Sequence, residues 1–181
     1  MQIEQFFLNS VGEWKSMRSG HSLAFQEFEE IRSEIKITPT PTNDSRVIKL
    51  LKDNSITLNE IKYAFLICWE AKSEWGDENQ KEKSSGQSIL IPVKMSKTEG
   101  KIIRSVGYTE EIQVISLYKL LDDGTLIINS NYNHICTEER IWFLSNNLRS
   151  RSSVTRSTNS LSILQTSYAS EIRFIKGKSK L

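Results

Sequence analysis

Apolar residues in this chain fall mostly at every second position, in short runs divided by polar and glycine-bearing punctuation, and that period of two predicts strands. About ten runs fit the template, at 12–20, 29–38, 63–75, 87–95, 101–108, 113–121, 125–133, 139–143, 148–156 and 160–175. Between them stand "GDENQKEKSSG", "KTEG", "DDG" and "SNN", all good turn chemistry, with Asp123-Gly124 the strongest signal for a two-residue hairpin. Helical spacing occurs twice. Ile3, Phe6 and Phe7 share a face in "IEQFFLNS", and Val47, Ile48, Leu50 and Leu51 follow an Asp44 or Ser45 cap in "DSRVIKLLKDN", a helix expected to cap the sheet or line its rim. Connections this short leave no room for helical crossovers, so neighbouring strands are expected to be antiparallel, and a meander of this many strands closes into a barrel to remove its edges. The predicted fold is therefore all-β: an up-and-down barrel of about ten antiparallel strands with one or two short helices.

Composition narrows the picture without redirecting it. A length of 181 residues with 38% hydrophobic content supports one core, so residues 1–175 are read as a single domain and "KGKSKL" at 176–181 as a basic tail. Lys and Arg number 24 against 22 Asp and Glu, a formal charge of +2 that calls for neither nucleic acid nor a membrane, so electrostatic specificity must be local. The start, "MQIEQFFLNSVGEW", lacks a basic segment leading into a long apolar run, and the expectation is a protein that is neither exported nor membrane-spanning. Cys68 and Cys136 lie far apart, without ligand spacing to each other or to His21 and His134; no metal site is predicted, and both thiols are read as inert.

Strand parity then groups the chemistry. Phe65, Ile67, Trp69, Ala71 and Trp75 share one face, opposite Cys68, Glu70, Lys72 and Glu74, so both tryptophans are expected to look into the barrel. Trp14 shares a face with Arg18. In "EERIWFLSNNLRSRSS", Glu139 keeps the company of Ile141 and Phe143, which favours an inward carboxylate, while Arg149, Arg151 and Ser153 share a face of their own. Parity names the companions of those arginines but not their side. The ordinary place for a strand arginine is solvent; the alternative is an interior set of one carboxylate and two guanidiniums that neutralises itself or meets an anionic ligand. Arg140 and Arg173 are read as surface charges, and His21 as a surface imidazole.

"ERIWF" followed by "NLRSRSS", with "GEWKSMRSGHSLAF" near the start and "SEIRFI" near the end, resembles the S-type phycobiliprotein lyases, the bilin chromophore lyases of the CpcS/CpeS group. The motifs occur in order, and the likeness runs from about residue 3 to residue 175. It implies a barrel similar to lipocalins and fatty-acid-binding proteins that holds a linear tetrapyrrole, phycoerythrobilin by overall similarity, without a covalent bond. The bilin is the substrate, and no other cofactor is implied. The enzyme then forms a thioether between it and a cysteine of a phycoerythrin or phycocyanin apo-subunit, in the cyanobacterial cytosol or plastid stroma; a homodimer is left open. Under the resemblance Glu139 is the catalytic carboxylate facing the pyrrole nitrogens. Arg18, Arg149 and Arg151 are the propionate partners, with Ser153 beside them, and Trp69 and Trp75 the ring walls. A bilin is a long apolar plate with two propionates and a row of pyrrole nitrogens, so aromatic walls, forked guanidiniums and a carboxylate are what its host needs.

Two other classes compete. A lipocalin-like carrier would use the same walls and arginines and catalyse nothing. A nucleic-acid-binding barrel would need aromatics gathered on one basic face, and here they are scattered and the charge is balanced.

Overall fold

The computed structural model describes residues 2–73, 83–105 and 114–175. Ten strands form a closed antiparallel barrel: β1 (Gly12–Ser22), β2 (Glu27–Thr40), β3 (Ala64–Ser73), β4 (Lys83–Lys94), β5 (Glu99–Arg104), β6 (Val114–Leu120), β7 (Leu126–Tyr132), β8 (Ile135–Ser145), β9 (Leu148–Ser157) and β10 (Ile163–Phe174). Each pairs with its sequence neighbours, and β10 returns to β1 with Glu171 opposite Ser16 and Arg173 opposite Trp14. Each predicted run overlaps one strand, although β8 reaches well beyond 139–143 and β4 starts at Lys83 rather than at 87; parts of the runs 63–75, 101–108 and 113–121, and the tail 176–181, lie outside the described residues.

Two helices complete the described chain, α1 (Ile3–Ser10) and α2 (Ser45–Asp53). The Ile3, Phe6 and Phe7 stripe of α1 is buried against Trp14, Ile37, Phe65 and Leu126, so this helix stops one end of the barrel, the floor. It ends because Val11 turns extended and Gly12 takes φ +137°, a conformation that glycine adopts without a Cβ penalty. Gly12 also lets Arg173 pass: a Cβ there would stand 2.6 Å from the Arg173 Nη1.

α2 corrects an expectation. It neither caps the barrel nor lines its rim, but lies on the outer wall, where Val47, Leu50 and Leu51 bury Ile89, Ile91, Val93 and Ile103. Asp44 starts it by accepting a hydrogen bond from the Arg46 amide at 2.9 Å. With the barrel interior on one side and α2 on the other, "SILIPV" in β4 is apolar at consecutive positions, where strands with one wet face alternate. The turn at Asp123-Gly124 is also longer than the dipeptide suggests. Leu121 donates to Thr125 at 2.9 Å around Asp122, Asp123 and Gly124, with Gly124 at φ +86°, so the loop has three residues and a left-handed glycine at its end.

Inward side chains change character along the barrel axis. The floor half carries Trp14, Ile37, Phe65, Ile102, Tyr118 and Leu126, closely packed and buried. The half nearer the β1–β2, β7–β8 and β9–β10 turns carries Gly86, Ser88, Ser130, Thr137, Ser153 and Ser167 at equivalent inward positions. Bulk below and small hydroxyls above leave space in the upper half.

Tight packing in the floor makes one prediction. A Cβ on Gly100 would overlap the Val93 carbonyl and stand 2.6 Å from the Tyr118 hydroxyl. Gly100→Ala is expected to lower folding stability by about 1–3 kcal/mol, as overpacking does; urea unfolding checks this, and an unchanged midpoint would show that the Val93 backbone and Tyr118 both give way freely.

Candidate functional site

Above the floor, inward positions of four strands carry charge: Arg104 at the end of β5, Glu139 in β8, Arg149 and Arg151 in β9, and Glu171 in β10. The closed register brings them together, because Arg149 stands directly opposite Glu171 while Arg151 stands opposite Ile141, one inward step from Glu139. Arg149 donates from Nε to Glu171 Oε2. Arg151 reaches both carboxylates, with Nη2 3.6 Å from Glu171 Oε1 and Nη1 3.6 Å from Glu139 Oε1. Arg104 Nη2 lies 3.4 Å from Glu139 Oε2 and completes the chain of ion pairs.

Burial makes that pairing obligatory. Arg149 is 2% exposed and Glu171 1%, and a lone charge in such a place would change protonation or unfold its surroundings. Desolvation by itself pushes the Glu171 carboxyl up, but the Arg151 and Arg149 guanidiniums, with hydrogen bonds from Arg149 and Ser16, outweigh it and hold its pKa below the ordinary carboxylate value. Trp14 lies beneath, its ring centre 4.4 Å from the Arg149 guanidinium carbon and 4.3 Å from that of Arg173, and its indole Nε1 donates to the Ser10 carbonyl at 2.8 Å. Arg173 is thus no simple surface charge. It donates to the Val11, Asn9 and Asn146 carbonyls and ties α1 to the β8–β9 turn at the barrel floor.

Over the charged layer the wall turns hydroxylic. Ser116 and Ser130 Oγ atoms lie 2.6 Å apart, Ser153 and Ser167 Oγ 2.8 Å, and Thr137 and Thr155 Oγ1 3.1 Å, each pair across neighbouring strands. Arg18 points into this half from β1, half-exposed and 3.6 Å from Glu29. Trp69 lies across Gly86 of β4, where any Cβ would collide with its ring. A void of about 40 Å³ between the charged layer and the floor, bordered by Phe6, Phe65, Leu126 and Arg151, has room for water but not for a flat organic ligand. Such a ligand needs a larger space, as along β1–β4, where a cavity of about 660 Å³ is bordered by Trp14, Ile35, Trp69 and Gly86.

The model of the CpeS-like protein family matches residues 2–174 of this chain. The chain belongs to the CpeS-like family. A chromophore lyase CpcS/CpeS from Trichodesmium erythraeum is 38% identical to it over 96% of this chain and 99% of its own length. A Thermosynechococcus vestitus chromophore lyase CpcS/CpeS is 34% identical over 96% of this chain and 93% of its own. The solved S-type phycobiliprotein lyase from Guillardia theta superposes with a TM-score of 0.84 at 33% identity, covering 99% of this chain and 95% of that one. The ten-stranded barrel and the class, a phycobiliprotein chromophore lyase, are those the sequence likeness implies.

Within this lyase, the sequence-predicted residues divide into three groups. Glu139, Arg149 and Arg151 meet in one charged layer, and Arg18, Trp69 and Ser153 line the upper half above it. Trp75 lies outside the described residues. Two members of the layer went unseen in the sequence, Glu171 and Arg104. Glu171 stands in "SEIRFI", a segment that already carries the likeness, and that membership is its one signal, since its strand parity sets it opposite the apolar Ile172 and Phe174; Arg104 in "IIRS" offers none.

Gly86 adds a prediction about the CpeS-like site. Gly86→Ala is expected to displace the Trp69 indole and weaken bilin binding by roughly 1–3 kcal/mol through overpacking at the ring wall. Bilin titration followed by absorbance measures it, and an unaltered affinity would mean that Trp69 does not border the ligand.

Proposed function

We propose that this chain holds a phycobilin above its charged layer and attaches it through a thioether to a cysteine of a phycobiliprotein subunit. The observation that carries the reading is the Glu139 carboxylate, held between Arg104 and Arg151 at the base of a hydroxyl-lined chamber. There it faces the pyrrole nitrogens, while Arg18 and Arg151 receive the propionates and Trp69 packs against the rings. Arg149 acts one step removed, since its guanidinium is engaged with Glu171 and stacked on Trp14. The preferred bilin in this reading is phycoerythrobilin, and the reaction takes place in the cytosol or plastid stroma.

The chemistry is an addition. The acceptor thiolate forms a C–S bond with the exocyclic ethylidene carbon of ring A, the double bond opens, and a proton ends on the tetrapyrrole, so no group leaves. A free thiol, with a pKa near 8.5, is nucleophilic enough to add unaided. The lyase contributes orientation: one ring face and one conformer are offered to the sulfur, and wrong additions are excluded. Glu139 would serve as proton donor or relay.

The test is transfer. Lyase, bilin and an apo-phycobiliprotein subunit are mixed and denatured, and covalent bilin on the acceptor is read by zinc fluorescence. Colour in the native mixture, with no acceptor labelling above the spontaneous rate, would mean a carrier instead. Cys68→Ser and Cys136→Ser are expected to transfer at the parental rate, because both positions are on the outer wall, Cys68 opposite Lys36 and Cys136 opposite Arg156. Loss of transfer in either variant, with folding intact, would point to a covalent relay on the lyase.

A further inference from the structure

The two ends of the barrel are built differently, and the upper end carries side chains that folding does not explain. Hairpin tips ordinarily hold Gly, Asn, Asp or Ser. Here the β1–β2 tip presents Phe25, 76% exposed, beside Leu23, and the β9–β10 tip presents Leu161, also 76% exposed. Leu161 moreover adopts φ +56°, the left-handed conformation that costs a non-glycine residue roughly 1–2 kcal/mol. Asparagine or glycine at that position would relieve strain and remove apolar exposure together, so leucine there works against stability on both counts.

These tips form one surface. The Leu23 amide donates to the Leu164 carbonyl at 2.9 Å, and the Thr158 amide to the His134 carbonyl at 2.8 Å, which links the β1–β2, β9–β10 and β7–β8 turns side by side around the mouth. Ile135 and Ile163 extend the apolar surface along them. Such a patch at neighbouring loop tips marks an interaction site.

We infer that this apolar crown is the docking surface for the acceptor phycobiliprotein subunit, placing the incoming thiol over the bilin; the inference rests on the lyase reading above. The crown is continuous with the end of the chamber where the reaction must occur. At the other end, α1, Phe6, Phe7 and Trp14 fill the barrel, so a sulfur cannot approach from the floor. Nor can it come from the chain's own wall, since Cys68 and Cys136 face outward. The sulfur therefore belongs to a second molecule that comes to the mouth, and among the described residues it meets Phe25, Leu23 and Leu161 there. The fitting partner is a folded protein with an apolar patch around its reactive cysteine.

The experiment uses the full chain with Phe25→Ser and Leu161→Asn, singly and together, and an apo-phycobiliprotein subunit. Bilin affinity and spectrum should stay parental, since neither residue is in the charged layer or on the ring wall. The acceptor concentration for half-maximal transfer should rise about tenfold or more in the double variant, as expected for lost interface anchors, with the saturating single-turnover rate unchanged. Leu161→Asn should also raise the thermal midpoint, a sign of stability given up for contact. Unchanged acceptor dependence overturns the inference. So does an effect confined to self-association in sedimentation, or to adherence to anionic lipid vesicles. Sedimentation with the apo-subunit separates the two levels: a parent that transfers nothing, yet loses subunit binding on these substitutions, keeps the docking surface and sinks the lyase reading.

Discussion

Glu171→Leu is expected to lower folding stability by about 3–5 kcal/mol, because it takes from the buried Arg149 the carboxylate it is paired with and leaves Arg151 with Glu139 alone. The effect should exceed that of removing Glu139, because the Arg149–Glu171 pair is more deeply buried than Glu139 and its partner Arg104. Urea unfolding of both variants provides the comparison. A Glu171→Leu protein as stable as the parent would mean that Arg149 and Arg151 escape to water. Acid should act in the same direction. The folded-state pKa of Glu171 lies below its unfolded value, so its contribution is complete above the ordinary glutamate pKa of about 4.3 and disappears as pH falls through the depressed folded value. Stability against pH should therefore decline less steeply below that point in Glu171→Gln than in the parent. Parallel acid limbs would show that the carboxylate contributes nothing through its ionisation.

Glu139→Gln is expected to keep bilin bound, shift its absorbance to the blue and slow transfer by about 10²-fold or more, the lower end of what a positioned acid or base supplies. Glutamine keeps the shape and much of the hydrogen bonding but removes the negative charge that the proposed function sets against the pyrrole nitrogens. The protonated tetrapyrrole is both the redder absorber and the better electrophile, so colour and rate should fall together. The acceptor thiol is untouched, and the defect should therefore appear in the single-turnover rate at saturating acceptor. This also separates Glu139 from the crown: the crown variants change acceptor dependence and leave the spectrum alone. A Glu139→Gln lyase with parental colour and rate would make Glu139 a structural partner of Arg104 and Arg151 and nothing more.

Much of this architecture is local and therefore legible. Alternation of side chains is a property of each strand by itself, so the strands, the grouping of Arg149 with Arg151 and Ser153, and the company of Glu139 follow from residues read in order. Short connections force antiparallel neighbours, and that leads to a closed barrel. The family likeness lies in motifs spread along the same order, and the matched fold carries it.

Which face of a strand is inside is not a local property, and only closure of the sheet decided it. In β10 the apolar residues Ile172 and Phe174 are exposed while Glu171, next to Ile172, is buried, so hydrophobic parity points the wrong way at the very position that holds the charged layer together. The buried carboxylate is tolerated because β9 sets Arg149 directly opposite it across a strand pair, a coincidence of register that no window of sequence contains. Arg104 likewise gains its meaning from Glu139 three strands away in the barrel, 35 residues later in the chain. Spacing predicts α2 as a helix at the cap or rim of the barrel, but its place on the outer wall depends on β4 and β5 being apolar on that side as well. The sequence by itself determined the strands, their order and the companions on each face; the tertiary structure alone decided which face meets water, because burial belongs to the closed barrel and not to any strand in it.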